Sequence, residues 1–360
     1  MPKARQPLPT RKVADVGEFG LIDIIRKHVG KPGSRVALGI GDDAAGMVIS
    51  HGKLLLATCD VQAENRHFRR QWTSARQLGQ RAAAINLSDI AAMGGEPLFA
   101  LVSLILPEDI ELEWTDNLYE GLQGELRRFG AEVVGGNLSG TQDGIIVDIT
   151  LLGEVAPEEM LKRSGAKPGD ALLVTGSFGA SAAGYLALER GLPTSEPDVA
   201  EVLKAHLTPT PRVAEGRAVA GTKKSSAMID VSDGLAADLG HICDESRVGT
   251  VIRAEQIPIS MATQSVAKRL GMDAMSFALH GGEDFQLVVA CPRAHIQEVV
   301  QAVQGATGTP LTEIGEIVEP GKGRTLIERD RKKTRLKPKG WDHFAREGSP
   351  TERGEGWRTV

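Results

Sequence analysis

Aromatic side chains make up only 4% of the 360 residues, and the formal charge is −5. Single-stranded nucleic acid is held on aromatics within a basic groove, so neither DNA nor RNA is an expected partner. No apolar run approaches the length of a membrane span. Met1 to Lys12 carries Lys3, Arg5, Arg11 and Lys12 without an apolar stretch, so it does not read as a secretory signal. Cys59, Cys243 and Cys291 are far apart and lack CxxC spacing. That excludes a zinc ribbon and points to a reducing compartment, the cytoplasm. There is no Walker A loop; the nearest approach, Gly216 to Thr222, lacks the lysine. No G-x-S-x-G, H-E-x-x-H or kinase H-R-D set occurs. Gly39-Ile40-Gly41-Asp42-Asp43-Ala44 fits a loose dinucleotide pattern, but its acids would face a pyrophosphate and no clear helix follows.

Apolar residues reach 41%, enough for a substantial core, and the length suits two domains. The spacing of Leu21, Ile22, Ile25 and Val29 predicts a helix over Glu18 to Val29. Strands are expected at Val36 to Ile40 and Lys53 to Thr58. An Ala-rich helix is expected over Thr73 to Met93, capped by Thr73. Strand Leu98 to Leu106, helix Leu112 to Phe129, a Gly135-Gly136-Asn137 turn and strand Ile145 to Val155 follow. Arg163 to Asp170 is polar and punctuated by Pro and Gly, which marks a domain boundary. The second half opens with strand Ala171 to Thr175. The small residues Gly176 to Gly184 then lead into a helix; they either cradle an anion at its N-terminus or allow close packing. Strand Met228 to Val231, helix Leu235 to Ser246 and strand Phe285 to Ala290 complete the pattern. Met1 to Asp15 and Ala345 to Val360 read as flexible ends.

Acids recur beside these elements: Asp42, Asp43, Asp60, Asp89, Asp230 and Asp233. Asp89 shares a helix face with Asn86 among small apolar neighbours, where a carboxylate is costly unless paired or metal-bound. Simpler roles stay open. The Gly-Asp-Asp stretch can be a solvated turn, Asp89 can cap a loop, and Asp233 can cap the helix that follows it. None of these explains Asp230. Brought together, the acids repel unless cations bridge them, and a polyphosphate is the natural guest of Mg²⁺ held by carboxylates.

Gly17-Glu18-Phe19, Gly39 to Ala45, Asn86 to Gly94, Arg163 to Asp170, Asp230 to Leu235 and Gly281 to Phe285 together closely resemble the thiamine-monophosphate kinases, in order, from about Gly17 to Phe344. The resemblance implies an α/β (α+β) chain with the two-domain fold of aminoimidazole ribonucleotide synthetase. It divides into an N-terminal ATP- and Mg-binding dimerisation domain at 17–160 and a C-terminal α/β domain at 161–344, with tails at 1–16 and 345–360. It implies ATP-dependent phosphorylation of thiamine monophosphate to thiamine diphosphate by a cytoplasmic homodimer using several Mg²⁺ ions, with no nucleic acid or membrane partner. Carried over by motif, Asp43, Thr58, Cys59, Asp60, Asp89, Asp230 and Asp233 resemble metal positions, the acids serving catalysis. Gly136, Asn137, Arg163 and Ser232 resemble nucleotide contacts. His67, Glu283 and Trp341 resemble contacts to the thiamine phosphate. Asn137 departs from the family's usual Asp and removes one charge. Other ATP-using enzymes of the superfamily, and a non-catalytic ATP- or thiamine-phosphate-binding protein, are the alternative readings.

Overall fold

The computed structural model describes residues 11–40 and 45–337. The Gly41 to Ala44 stretch and Trp341 therefore lie outside the described residues. The N-terminal half runs α1 (Val13–Val29), β1 (Val36–Leu38), β2 (Gly46–Met47), β3 (Leu54–Ala63), α2 (Ala75–Ala92), β4 (Glu96–Pro107), α3 (Leu112–Arg128), β5 (Glu132–Thr141) and β6 (Ile146–Val155). The C-terminal half continues with β7 (Ala171–Thr175), α4 (Ala180–Glu189), α5 (Pro197–Leu207), α6 (Val213–Thr222), β8 (Ala227–Asp230), α7 (Leu235–Ser246), β9 (Gly249–Arg253), α8 (Met261–Leu270), α9 (Ala274–His280), β10 (Leu287–Cys291), α10 (Ile296–Thr307), β11 (Leu311–Val318), β12 (Arg324–Ile327) and β13 (Lys333–Arg335). Among the described residues no helix is long and apolar enough to cross a membrane.

Two sheets carry the chain. One has four strands in the order β3-β6-β4-β5 and the other seven, β13-β12-β9-β11-β7-β10-β8. Pairing is antiparallel except between β4 and β5 and between β9 and β12. Helices alternate with strands along the sequence, yet the sheets are mixed, which is the α+β form of the expectation.

Helix α2 lies between the sheets. Ser74 and Gln77 form a reciprocal capping box at its start, so the cap is Ser74 rather than Thr73. Its alanines allow burial on all sides: Ala82, Ala83, Ala84 and Ala91 are fully buried. A Cβ at Gly79 would stand 2.0 Å from the Leu118 carbonyl oxygen, so α3 approaches only because that residue is glycine. One apolar core joins α2 to Val102, Ile149 and Leu151 of the first sheet and to Leu173, Met228 and Val289 of the second. On its other face the second sheet packs Leu172, Val174 and Val288 against Leu235 and Leu239 of α7. Strand β7 is buried throughout, as its unbroken apolar sequence requires.

Several boundaries differ from expectation. Helix α1 begins at Val13, and Gly17 (φ 65°) kinks it, so Val13 to Asp15 are helical. Strand β3 continues past Thr58 to Ala63, paired along its length with β6. Thr58, Cys59 and Asp60 are therefore mid-strand. Gly135-Gly136-Asn137 is not a turn. Ladder pairing with β4 carries β5 through it, with a bulge that absorbs one residue.

The hairpin of β1 and β2 is stitched to the sheet by Glu154, whose side chain is 1% exposed. Its carboxylate accepts from Arg35 Nη2 (2.6 Å), Ser50 N (2.9 Å), Ser50 Oγ (2.8 Å) and Lys53 Nζ (2.9 Å). Burial pushes this carboxyl up, but the hydrogen bonds from Arg35, Lys53 and Ser50 prevail and hold it well below the carboxylate range. A depressed folded pKa stabilises above the unfolded value and is lost as pH falls through the folded one. Glu154→Gln is expected to lower unfolding free energy by about 1–3 kcal/mol at pH 7. Urea titration should show the difference from wild type intact at pH 7 and shrinking only below about pH 4.

Candidate active site

Two consecutive residues of α2 reach the two sheets. Asp89 accepts a hydrogen bond from Thr58 Oγ1 of β3. Ser88 Oγ donates to Asp230 Oδ2 at the end of β8, at 2.6 Å. The charges of Asp60 and Asp89 are close enough that Asp89 raises the pKa of Asp60. Thr58, Asp60, Asp89 and Asp230 are thus brought together from both halves of the chain. Burial comes first in raising all three acids; the Asp89 charge then raises Asp60 and Asp230 further. Arg163 is the cation whose charge acts against this, on Asp89 and Asp230.

Asp233, whose charge also raises Asp60, belongs to an adjoining group. Its carboxylate, that of Asp238 and a ring nitrogen of His241 lie within 4.8 Å of one another. Asp238, inside α7, reaches back to accept from the backbone N–H groups of Asp233 (3.0 Å) and Gly234 (3.1 Å), and the N-cap position is Gly234. Burial, then Asp233 and Asp230, push Asp238 up to about 8.

Cys59 is not brought to the Asp60 cluster. On extended backbone its side chain takes the opposite face from Thr58 and Asp60. There the thiol donates to Asp148 Oδ1 (3.2 Å) and accepts from Thr150 Oγ1 (3.5 Å). The Thr150 bond favours the thiolate, but burial and Asp148 outweigh it and the pKa rises. The Cys59 thiol is therefore not available to the cluster.

Gly136 and Asn137 line a cavity of about 1220 Å³ across this face, with Ser103, Tyr119, Arg26 and Thr150. A Cβ at Gly136 would meet the Val102 carbonyl oxygen at 2.0 Å, which explains the glycine. The cavity reaches Thr150, the partner of Cys59, and so ends beside the strand that carries Asp60. Ser232 and Arg163 lie apart from Asn137, toward Asp230; Ser232 accepts Glu283 N–H through its carbonyl at 2.7 Å.

His67 and Glu283 meet around Arg81, which is 2% exposed. Arg81 Nη2 binds a Glu283 carboxylate oxygen, and the His67 carbonyl oxygen lies 3.5 Å from it. His67 Nδ1 accepts Ala63 N–H at 3.0 Å, which leaves the proton on Nε2. Burial opposes ionisation of Glu283, but Arg81 holds its pKa low. Glu283 (φ 66°) and Phe285 (φ 48°) are both left-handed, costing roughly 1–2 kcal/mol each. The loop is pinned in compensation. Between them Asp284 accepts from Gly179 N (2.6 Å) and Ser181 N (3.2 Å) at the start of α4. The small-residue helix entry holds the chain's own carboxyl group, which burial pushes up to about 7, and it also packs closely: a Cβ at Gly184 would stand 2.2 Å from the Val202 carbonyl oxygen.

Sequence reasoning missed Arg81, Asp148, Asp238 and His241. The argument applied to Asp89 would have found Arg81, another charge set in the apolar, alanine-rich stretch of α2. Asp238 and His241 share a helix face three apart, a spacing too common to stand out.

The donors suit a hard cation. They are carboxylates and a hydroxyl whose negative charge exceeds what Arg163 offers. One turn before Asp89, the fully buried Asn86 keeps Oδ1 without a partner. Thr58, Asp60, Asp89 and Asp230 fit Mg²⁺.

Residues 41–155 match the N-terminal domain of AIR synthase related protein, and 167–328 its C-terminal domain. This places the chain in the AIR synthase related class. The thiamine-monophosphate kinase of Aquifex aeolicus is 36% identical over 92% of this chain and all of its own length. The solved thiamine-monophosphate kinase of Stenotrophomonas maltophilia superposes with a TM-score of 0.77 at 31% identity, over 86% of this chain and 96% of that one. A structure of AaThiL complexed with AMPPCP and TMP gives 0.73 at 35% identity, over 93% and 99%. The chain belongs to the thiamine-monophosphate kinase family.

Raised carboxyl pKa values fix the sign of a pH effect. Between the unfolded value near 4 and about 8 the folded state holds more protons, so metal-free stability falls as pH rises. The melting temperature without divalent ions is expected to drop from pH 6 to pH 8. Adding Mg²⁺ at pH 7 should restore it and release protons, measured by calorimetry in buffers of different ionisation enthalpy.

Proposed function

We propose that this chain transfers the γ-phosphoryl group of ATP to thiamine monophosphate, forming thiamine diphosphate in the cytoplasm. The observation that carries the reading is the carboxylate cluster that Ser88 and Asp89 assemble between the two sheets. Its relatives are named for this reaction, and AaThiL is complexed with AMPPCP and TMP. The three cysteines are free, in keeping with a reducing compartment.

Asp60, Asp89, Asp230 and Thr58, with Asp43, Asp233 and the Cys59 backbone oxygen, would hold the metal ions. Bound Mg²⁺ would supply charge neutralisation between two anionic phosphates. The nucleotide lies in the cavity at Gly136 and Asn137, on the Cys59 and Thr150 side of the sheet, its phosphates directed past the edge strand β3 toward Asp60 on the other side. Arg163 and Ser232 meet the phosphate chain from the second half. His67, Glu283 and Trp341 hold the thiamine moiety, so the acceptor phosphate and the nucleotide converge at the cluster. The acceptor oxygen belongs to a phosphate monoester, already acidic, so no strong base is needed. Transfer is direct and in line, through positioning and electrostatics.

The reading includes a homodimer. Leu38, Val48, Ile49, Leu54, Leu55 and Val61, each 41–54% exposed, all belong to the N-terminal hairpin and the edge strand β3. An apolar edge of this kind is covered in stable proteins, here by a second copy. Val61→Glu is expected to shift the sedimentation profile from dimer to monomer.

The enzymatic test incubates the chain with ATP, Mg²⁺ and thiamine monophosphate, with free thiamine as the control acceptor. Thiamine diphosphate should form from the monophosphate alone. Asn137→Asp restores a charge and should reach half-maximal rate at a Mg²⁺ concentration lower by about threefold to tenfold. Ligand binding without product, in both proteins, would replace this reading with a non-catalytic one.

A further inference from the structure

We propose that Arg81 is the positioning residue of the acceptor site, fixing Glu283 so that one carboxylate oxygen takes the amino group of a planar aminopyrimidine. The proposal deepens the acceptor reading of Glu283 given above and rests on it. Thiamine monophosphate carries such a ring, with an exocyclic amine as donor.

The guanidinium of Arg81 commits its donors in fixed directions. Nε donates to Gln62 Oε1 at 3.0 Å, Nη1 to the His206 carbonyl oxygen, and Nη2 to Glu283 Oε1. Arg81 therefore ties the end of β3 and the end of α5 to the 281–285 loop. A guanidinium this deeply buried requires a carboxylate, and Glu283 supplies it across 202 positions of sequence.

The pairing consumes only one oxygen of Glu283. Oε2 stands 3.6 Å from His206 Nδ1, beyond hydrogen-bonding distance. That nitrogen instead lies 3.0 Å from Ser181 Oγ. The Glu283 side chain keeps 23% of its surface exposed, and with Oε1 committed to Arg81, Oε2 is the oxygen left for a ligand. The left-handed backbone of Glu283 would not keep this aim without such a tether. Tyr185 packs edge-on against the His206 ring and Trp72 edge-on against Tyr185, which supports His206. An ionised oxygen aimed from a rigid support accepts an N–H well and repels a carbonyl. The site should thus distinguish an amine from an oxo group at the same ring position.

The test compares thiamine monophosphate with oxythiamine monophosphate, in which a carbonyl replaces the amine. Dissociation constants are measured by calorimetry with the full chain, Mg²⁺ and AMPPCP, alongside steady-state kinetics. Wild type should prefer the amino ligand by at least about tenfold, the loss expected for one missing charged hydrogen bond. Arg81→Met and Glu283→Gln should reduce the preference to within about threefold, and Arg81→Lys should retain part of it. The KM for ATP should stay within about threefold, which a general loss of structure would not allow. An unchanged preference in folded Arg81→Met overturns the proposal. If Arg81→Met does not fold, Arg81→Lys decides: a preference identical to wild type, while Glu283→Gln loses it, removes Arg81 from the account. Wild type that binds neither ligand overturns the acceptor reading itself, and this proposal with it.

Discussion

Like charges held close in an apolar setting are the constraint on which this structure turns. Asp60, Asp89 and Asp230 come from three elements and two sheets, and each is pushed toward its neutral form by burial and, for Asp60 and Asp230, by Asp89. A fold keeps such an arrangement only if something compensates it. Within the chain the compensation is partial: hydroxyl donors from Thr58 and Ser88, and the charge of Arg163. The deficit is what a divalent cation and a phosphate chain would fill, and it explains why the cluster sits where the halves meet.

Helix α2 makes that arrangement possible. Its alanines and Gly79 let it be buried between sheets and against α3, so its polar residues are placed by the backbone rather than by long side chains. Arg81, Ser88 and Asp89 leave one side of it. Arg81 holds the 281–285 loop, Ser88 the end of β8, and Asp89 the β3 strand. One rigid element thus sets the separation between Glu283 and the carboxylate cluster, which in the proposed function would align acceptor and phosphates for transfer.

The sequence was most legible where punctuation and periodicity agree. Ala171–Thr175, between Asp170 and Gly176, and Leu235–Ser246, opened by Gly234, coincide with expectation. Gly135-Gly136-Asn137 misled, because ladder pairing and a bulge override a glycine pair's tendency to turn. The acids were legible because ionised groups in apolar company demand a reason. Their grouping was not: Asp233 lies with Asp238 and His241, and Cys59 turns to the far face of β3 by strand alternation. Arg81 and Glu283 meet only through tertiary structure, and no local pattern announces a pair so distant in sequence.

The most direct measurement is anomalous diffraction from crystals grown with Mn²⁺ and a non-hydrolysable ATP analogue. The account predicts Mn²⁺ peaks bridging Asp60, Asp89 and Asp230, with the triphosphate running from Asn137 to those ions. Peaks confined to Asp233, Asp238 and His241, or none near Asp89, would contradict it.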